Sequence, residues 1–455
     1  MGETVGKEDL ARLRRDAEAV FRAAVRRVDP YEAVKRFVRR EGSRLLLGEA
    51  PGTAGELDLD GFRRVIVVGG GKATAPMARA LEELAGDRIT EGRINVKYGF
   101  AETLERTAVV EADHPVPDQS GVDGTRAIME LLERAGEGDL VVSLISGGGS
   151  ALLPQPAGRV RLEEKQAVTR RLLECGASID EINAVRKHIS GSKGGQMARA
   201  AAPAVTVNLM LSDVVGDRMD VIASGPFVPD ASTFQEAWHI LDRYGLIPDL
   251  PDAVREHLEQ GRDGRIPDTP KAGDPAFERV TNLVIGSNIQ ALERAAREAG
   301  SLGYAPLILS SMIEGETRDV AKVHAAVGRE MLKTGRPLAP PACVISGGET
   351  TVTIRGKGKG GRNQEFGLAA ALELTGLDAR IAILSGGTDG NDGPTDAAGA
   401  VVDPTTVERG RAAGLEAEAY LDDNDAYTFF SATGDLLMTG PTKTNVMDVR
   451  LIMVR

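Results

Sequence analysis

The chain is poor in the residues that build several familiar kinds of site. Its two cysteines, Cys175 and Cys343, allow neither a disulfide framework nor a thiolate metal site. Both are expected to be small core residues of a protein from a reducing compartment. Aromatic residues make up 4% of the chain, too few for the stacking platforms that grip single-stranded nucleic acid. The formal net charge of −12 points the same way, against nonspecific binding to nucleic acid or to an anionic membrane. No apolar run approaches the roughly 20 residues that cross a bilayer. The N-terminal stretch MGETVGKEDLARLRRDAEAVFRAAV carries charge throughout and has no apolar signal core. The expected location is therefore the cytoplasm. No HExxH pair and no GxSxG turn is present, which removes metalloprotease and serine-hydrolase chemistry.

Glycine is the opposite case, with 54 residues, many of them clustered where strand-like runs end. The clusters are VIVVGGGKAT (65–74), VVSLISGGGSALL (141–153), CVISGGET (343–350) and AILSGGTDG (382–390). One glycine per turn is explained by the backbone freedom a tight turn needs. Pairs and triplets flanked by Ser, Thr or Lys go further, because bare backbone lets a ligand approach and its N–H groups suit an anion. Gly70, Gly71, Ser146, Gly147, Gly148, Gly149, Ser150, Gly347, Gly348 and Glu349 are accordingly candidate substrate- or nucleotide-binding positions.

A chain of 455 residues exceeds one compact core, so two domains are expected. Residues 8–47 read as helices from their apolar spacing. Val/Ile/Leu strands then alternate with helical stretches, which predicts an α/β fold with a parallel sheet covered on both faces. A stretch rich in Pro, Gly and charge at 245–278 breaks the pattern. Domains are expected over 1–260 and 275–455, the second opening with the strand TNLVIGS. In that second domain VISGGETTVTI reads as two tightly joined strands, so some antiparallel pairing is expected.

GGGKAT is not a phosphate loop, since Ile66 stands where the first glycine belongs and Ala73 where the hydroxyl belongs. Nor is a dinucleotide fingerprint intact. Its third small position falls on Thr74 in one cluster and on Leu152 in another. Lys72 nevertheless follows a strand and precedes a helix, where a cation and backbone amides would converge on one anion. His114, in ADHPVPDQSG, ends another strand and either contacts a ligand or caps its turn. Two basic segments stand out against the acidic total. INAVRKHISGSKGGQMA holds Arg186, Lys187, His188 and Lys193; IRGKGKGGRNQEF holds Arg355, Lys357, Lys359 and Arg362 ahead of a helix starting near Asn363 and Gln364. Arg362 would add a bidentate donor at that helix start. Carboxylates oppose them, with Asp213, Asp217 and Asp220 after one strand and Asp389, Asp392 and Asp396 after another. Glycine cradles, cations and oxygen ligands for a hard cation are the parts of phosphoryl transfer.

These motifs in this order resemble the glycerate 2-kinases that carry a C-terminal MOFRL domain, over roughly residues 12–453. The resemblance rests on GGGKATAPMA, HPVPDQSG, LISGGGSALLPQP, INAVRKHISGSKGG, SDVVGDRMDVIASGP, ISGGETTVTIRGKGKGGRNQEFGLA, SGGTDGNDGPTDAAGA and TGPTKTNVMDV. It implies ATP- and Mg²⁺-dependent phosphorylation of D-glycerate to 2-phosphoglycerate, in a cleft between a Rossmann-like N-terminal domain and a smaller mixed-sheet C-terminal domain. It also implies Lys72, Arg362 and Asp213 as catalytic residues, with Asp213 and Asp217 on the metal. Which motif holds ATP and which holds glycerate is left open, and a homodimer is allowed but required by no motif. Two other readings compete. An NAD(P)-dependent hydroxypyruvate reductase would need the missing fingerprint, and a non-catalytic sugar-acid-binding protein would not need Asp213 and Asp217.

Overall fold

The computed structural model describes residues 6–455. Two units are distinguished by their internal contacts. One is Pro30–Ile285, and the other joins the N-terminal segment through Asp29 to Gly286–Arg455.

In the first unit, β1 (Val38–Glu41), β2 (Arg44–Leu47) and β3 (Gly55–Asp58) form a small antiparallel sheet. Residues 38–47 were expected to be helical. The chain instead reverses at Gly42, with φ of +63°, and pairs Val38 with Leu47. The main sheet contains β4 (Arg64–Gly70), β5 (Ile89–Lys97), β6 (Thr107–Ala112), β7 (Asp139–Ile145), β8 (Val205–Leu211) and β9 (Val280–Gly286). Their spatial order is β6-β5-β4-β7-β8-β9. The β4–β5, β4–β7, β5–β6 and β7–β8 pairings are all parallel. This is the doubly wound Rossmann order, with its topological switch between β4 and β7. Alternation along each strand divides the core. Val65, Val67, Leu140 and Val142 pack with Met77, Ala78 and Leu81 of helix Thr74–Ala85. Ile66, Val68, Val141 and Ile145 pack with Ile128, Leu131 and Leu132 of helix Gln119–Glu133. Period-two burial thus covers both faces with helices.

The second unit has one mixed sheet of β10 (Ala305–Ser310), β11 (Ala342–Gly348), β12 (Ile381–Gly387), β13 (Gly399–Val402), β14 (Leu436–Leu437) and β15 (Asp448–Val454). Its order is β10-β11-β15-β12-β13-β14. The β10–β11 pair is parallel and the other four are antiparallel. The antiparallel component is therefore real, but it does not come from VISGGETTVTI. Thr351 makes only an isolated bridge to Glu316, and no strand follows it.

Two further differences concern chain order. TNLVIGS was expected to open the second domain, yet β9 is the last strand of the first sheet. Helix Lys7–Arg27 packs on the second unit, against helix Asn288–Ser301 and β12. Its Phe21 lies where a Cβ at Gly386 would fall, and its Arg14 pairs with Asp403 at 2.8 Å and Asp435 at 2.7 Å. An amphipathic helix buries its stripe on whichever sheet face is open, whatever the sequence distance. Among the described residues no helix is long and apolar enough to cross a membrane.

Candidate active site

In the first unit the turns after β4 and β7 are laced together at the switch point. Lys72 N donates to Gly147 O at 2.9 Å and Ser146 N to Gly70 O at 3.3 Å. Ala73 N donates to Ser146 Oγ at 3.0 Å. Three of the expected site residues converge on the second glycine turn. A Cβ at Gly147 would collide with the Asp213 carboxylate, and one at Gly148 would lie 3.0 Å from His114 Cδ2 and 3.2 Å from Lys72 Cγ. Gly148 also has φ of +84°, so both space and conformation require glycine there. His114 is half-buried beside Lys72. Burial, helped by the charges of Lys72 and Lys97, holds its pKa down at about 4, so the imidazole is neutral at physiological pH.

Beside this turn lies a cavity of about 340 Å³ lined by His114, Gly148, Ser150, Lys165, Arg186 and Lys193 among others. Lys193 is fully buried and donates to Ser150 O at 2.8 Å and Leu153 O at 3.1 Å. Lys165 is also buried and donates to Pro154 O at 3.1 Å and Gln155 O at 3.3 Å. Arg186 reaches Asn183 Oδ1 at 3.1 Å and Ser150 Oγ at 3.4 Å. Ser150 Oγ in turn meets Ser224 Oγ at 2.7 Å. Among the described residues no Asp or Glu lines this cavity. Burial depresses all three cations, and repulsion from neighbouring cations adds to it for Lys165, brought to about 7, and for Lys193, held well below its ordinary value. Buried positive charge without a counterion is costly, and an anionic ligand would relieve that cost.

Lys165 and Ser224 were not singled out from the sequence. A signal for Lys165 existed, since it shares a helical face with Leu162, Val168 and Leu172, all buried. Ser224 lies inside the motif SDVVGDRMDVIASGP, but its place at the cavity depends on a left-handed backbone run through Ala223, Ser224 and Gly225 with φ of 50°, 61° and 63°. Lys187, by contrast, does not line the cavity. It is buried in an ion pair with Asp230 at 3.1 Å.

Asp213 and Asp217 follow β8, and Asp217 has φ of +53°. Among the described residues no group of three or more His, Cys, Asp or Glu could hold a metal ion. The donor set therefore does not suit an all-protein cage. One or two carboxylates beside a glycine turn do suit Mg²⁺ arriving with phosphate oxygens, since that ion keeps few protein ligands.

In the second unit the two SGG strand ends flank β15. Asp448 lies opposite Gly348 of β11 and Gly387 of β12. Its buried carboxylate accepts from Arg362 Nε at 2.8 Å and Nη2 at 3.0 Å, from Asn363 Nδ2 at 2.8 Å and from Arg450 Nη2 at 2.9 Å. The remaining Arg362 nitrogen, Nη1, pairs with Glu349 at 2.7 Å. Asp448 and its charge raise the Arg362 pKa above the ordinary value despite burial. Asp392 caps helix Arg362–Leu374, accepting from Asn363 N at 3.1 Å and Gln364 N at 2.8 Å. Arg362, Glu349 and Asp392 line a cavity of about 560 Å³.

Other expected positions fall outside this network. Lys359 is exposed, with Nζ 4.2 Å from the Tyr427 ring centroid. Asp389 is half-buried in the turn after β12, where its carboxylate accepts from Asn391 N. Cβ atoms at Gly347 and Gly348 would strike Asn288 and the Ile313 backbone. Those two glycines make room for protein atoms. Asp448 and Arg450 were missed because DVRLIMVR reads as a core strand.

A Rossmann-ordered sheet with a cation-lined cavity at its switch point in one unit, and a mixed sheet carrying an Arg–Asp network in the other, define a two-unit α/β protein with a cavity suited to an anion. The family described as a domain of unknown function (DUF4147) matches residues 16–259, and the MOFRL family matches residues 342–448. The chain is 41% identical to a glycerate 2-kinase of Pyrococcus horikoshii, covering 95% of each. It is 46% identical to an Agrobacterium vitis protein provisionally named hydroxypyruvate reductase, covering 86% of this chain and 87% of that one. A crystal structure of glycerate kinase from Thermotoga maritima superposes with a TM-score of 0.87 at 38% identity, covering 98% and 100%. The chain belongs to the glycerate 2-kinase family with a C-terminal MOFRL domain.

Proposed function

We propose that the protein transfers the γ-phosphoryl group of ATP to the 2-hydroxyl of D-glycerate, giving 2-phosphoglycerate with Mg²⁺ present. The observation that carries this reading is the cavity of buried cations without carboxylate partners, next to the turn that bears Lys72. An oxyanion would settle there against Arg186, Lys193 and Ser150. Lys72 is assigned to charge that grows on the transferring phosphoryl oxygens. Asp213 is assigned to the substrate hydroxyl, whose proton it would accept, and with Asp217 to Mg²⁺. When bound, that ion would neutralise phosphate oxygens. Neutral His114 can donate or accept one hydrogen bond at the cavity mouth. Arg362, oriented by Asp448, is assigned to a second set of phosphate oxygens. Fixing the glycerate carboxylate would present the adjacent C2 hydroxyl first, since it is tied most rigidly to that anchor.

The test measures ADP release as a function of D-glycerate and Mg²⁺, coupled to enolase with no phosphoglycerate mutase. Direct formation of phosphoenolpyruvate supports the 2-phosphate product. A signal that needs mutase would move the phosphoryl group to the 3-hydroxyl.

A reductase reading has two observations in its favour, the β6-β5-β4-β7-β8-β9 order shared with dinucleotide-binding folds and the name of the Agrobacterium relative. Against it, Thr74 occupies the third fingerprint position, inside the first turn of helix Thr74–Ala85. Hydroxypyruvate-dependent loss of nicotinamide absorbance, without ADP release, would establish the reductase instead.

A further inference from the structure

Lys165 is an unusual tenant of an apolar helix stripe. Helix Leu162–Glu174 buries Leu162, Val168 and Leu172, and Lys165 completes that face. A lysine so buried ordinarily finds a carboxylate. Among the described residues Lys165 finds only the carbonyls of Pro154 and Gln155, while lining the cavity that also holds Arg186 and Lys193. The charged and titratable groups that share the cavity with it are His114 from the turn after β6, Arg170 on its own helix, Arg186 on helix Ile179–His188, and Lys193 beyond that helix. All are basic. Two carbonyl bonds use two of the ammonium's three donors and leave one for a ligand.

We propose that Lys165 is an anion-binding residue of this cavity, completing with Arg186 and Lys193 a seat for one oxyanion group, a carboxylate or a phosphate, of the bound ligand. The proposal rests on the cavity being the substrate site. It adds a binding residue that no sequence motif marks. A consequence follows from electrostatics. Burial, with repulsion from Arg186, brings Lys165 to about 7 in the free protein, and an arriving anion favours its charged form. Binding at neutral pH should therefore take up a proton onto Lys165 Nζ.

The test is calorimetric titration of the full-length protein at pH 7, with D-glycerate alone and with ADP alone, in wild type and in Lys165→Met. A loss of roughly tenfold or more in affinity for glycerate only assigns the seat to the carboxylate. The same loss for ADP only assigns it to a phosphate, and a loss for both makes the seat shared. Unchanged affinity for both ligands overturns the proposal and leaves Lys165 as a structural bond to two carbonyls. Should Lys165→Met not fold, the same titrations with Lys165→Gln decide the matter, where a loss supports the proposal and unchanged affinity for both ligands overturns it. None of these readouts requires turnover, so an enzyme that fails to phosphorylate glycerate would sink the proposed function without touching this result.

Discussion

Lys72 and Arg362 would do electrostatic work, yet they are held in different ways. Lys72 extends from a glycine turn, its backbone N–H donating to Gly147 O, and among the described residues its ammonium has no hydrogen-bond or ion-pair partner. Lys72→Ala should therefore leave stability nearly unchanged while lowering kcat roughly 10²-fold or more, the usual loss for one transition-state donor. Parallel measurement of kcat and thermal unfolding checks this, and near-normal turnover would return Lys72 to the solvated surface. Arg362 uses all three guanidinium nitrogens, two on Asp448 and one on Glu349. Arg362→Lys keeps the charge but cannot bridge both oxygens of Asp448. It should lower kcat at least about tenfold; full activity would reduce Arg362 to a field charge. Asp213→Asn should raise the Mg²⁺ concentration needed for half-maximal rate or abolish turnover, because an amide is a weak ligand for a hard cation and no base. Unchanged Mg²⁺ dependence would transfer the role to Asp217.

Element termini carry much of the proposed chemistry, and their stability is separable from it. Helix Arg362–Leu374 begins with Gly361, which has no side chain to cap it, and Asp392 from another turn supplies both acceptors. Asp392→Ala should cost about 1–2 kcal/mol, the range for a lost cap with its N–H groups left buried. Denaturant unfolding of the variant measures it, and a cost near zero would mean that water replaces the carboxylate. Signals for such caps are weak when donor and acceptor lie far apart in sequence. GTDGNDGPTD reads as a Gly-rich loop of carboxylates after a strand, and nothing local to it says that Asp392 caps the helix that starts at Arg362.

Two buried groups make stability depend on pH in opposite senses between about 7 and 4: Asp392, which burial raises to about 7, favours the fold as pH falls, and His324 disfavours it. His324 is buried, its Nδ1 at 2.8 Å from Val320 O and its Nε2 at 2.7 Å from Ser346 Oγ. The carbonyl can only accept, so Nδ1 carries the proton and Nε2 accepts from serine. Burial holds the His324 pKa down at about 4, against 6.5 for the ordinary side chain. Between those values the unfolded chain binds the proton and the native protein does not, so the contribution of His324 to stability falls as pH drops from 6.5 towards 4. The loss from this residue is on the order of 3 kcal/mol at the bottom of that window. His114, with the same depressed value, acts in the same direction. Chemical denaturation between pH 7 and 4 should show His324→Gln keeping more of its stability towards pH 4 than wild type does. An unchanged slope in the variant would assign the acid sensitivity elsewhere.

What the amino-acid sequence determined by itself was local. Valine-rich strands ending in glycine, alternating with helices, pointed to the parallel sheet of the first unit, because crossover helices cover both faces of near-continuous apolar runs. Lys72, His114, Ser150, Arg186 and Lys193 stood out because each sits in or beside a turn whose chemistry is written in neighbouring residues. Tertiary structure alone decided which distant turns meet. It brought Lys165 from a helix face into the cavity, set Asp448 between two SGG strand ends, and carried helix Lys7–Arg27 and strand Val280–Gly286 into the opposite units from those their chain positions suggested. The reason is physical. Turns and strand faces are set by neighbouring residues, whereas strand register and helix docking depend on apolar surface that only the assembled sheets present.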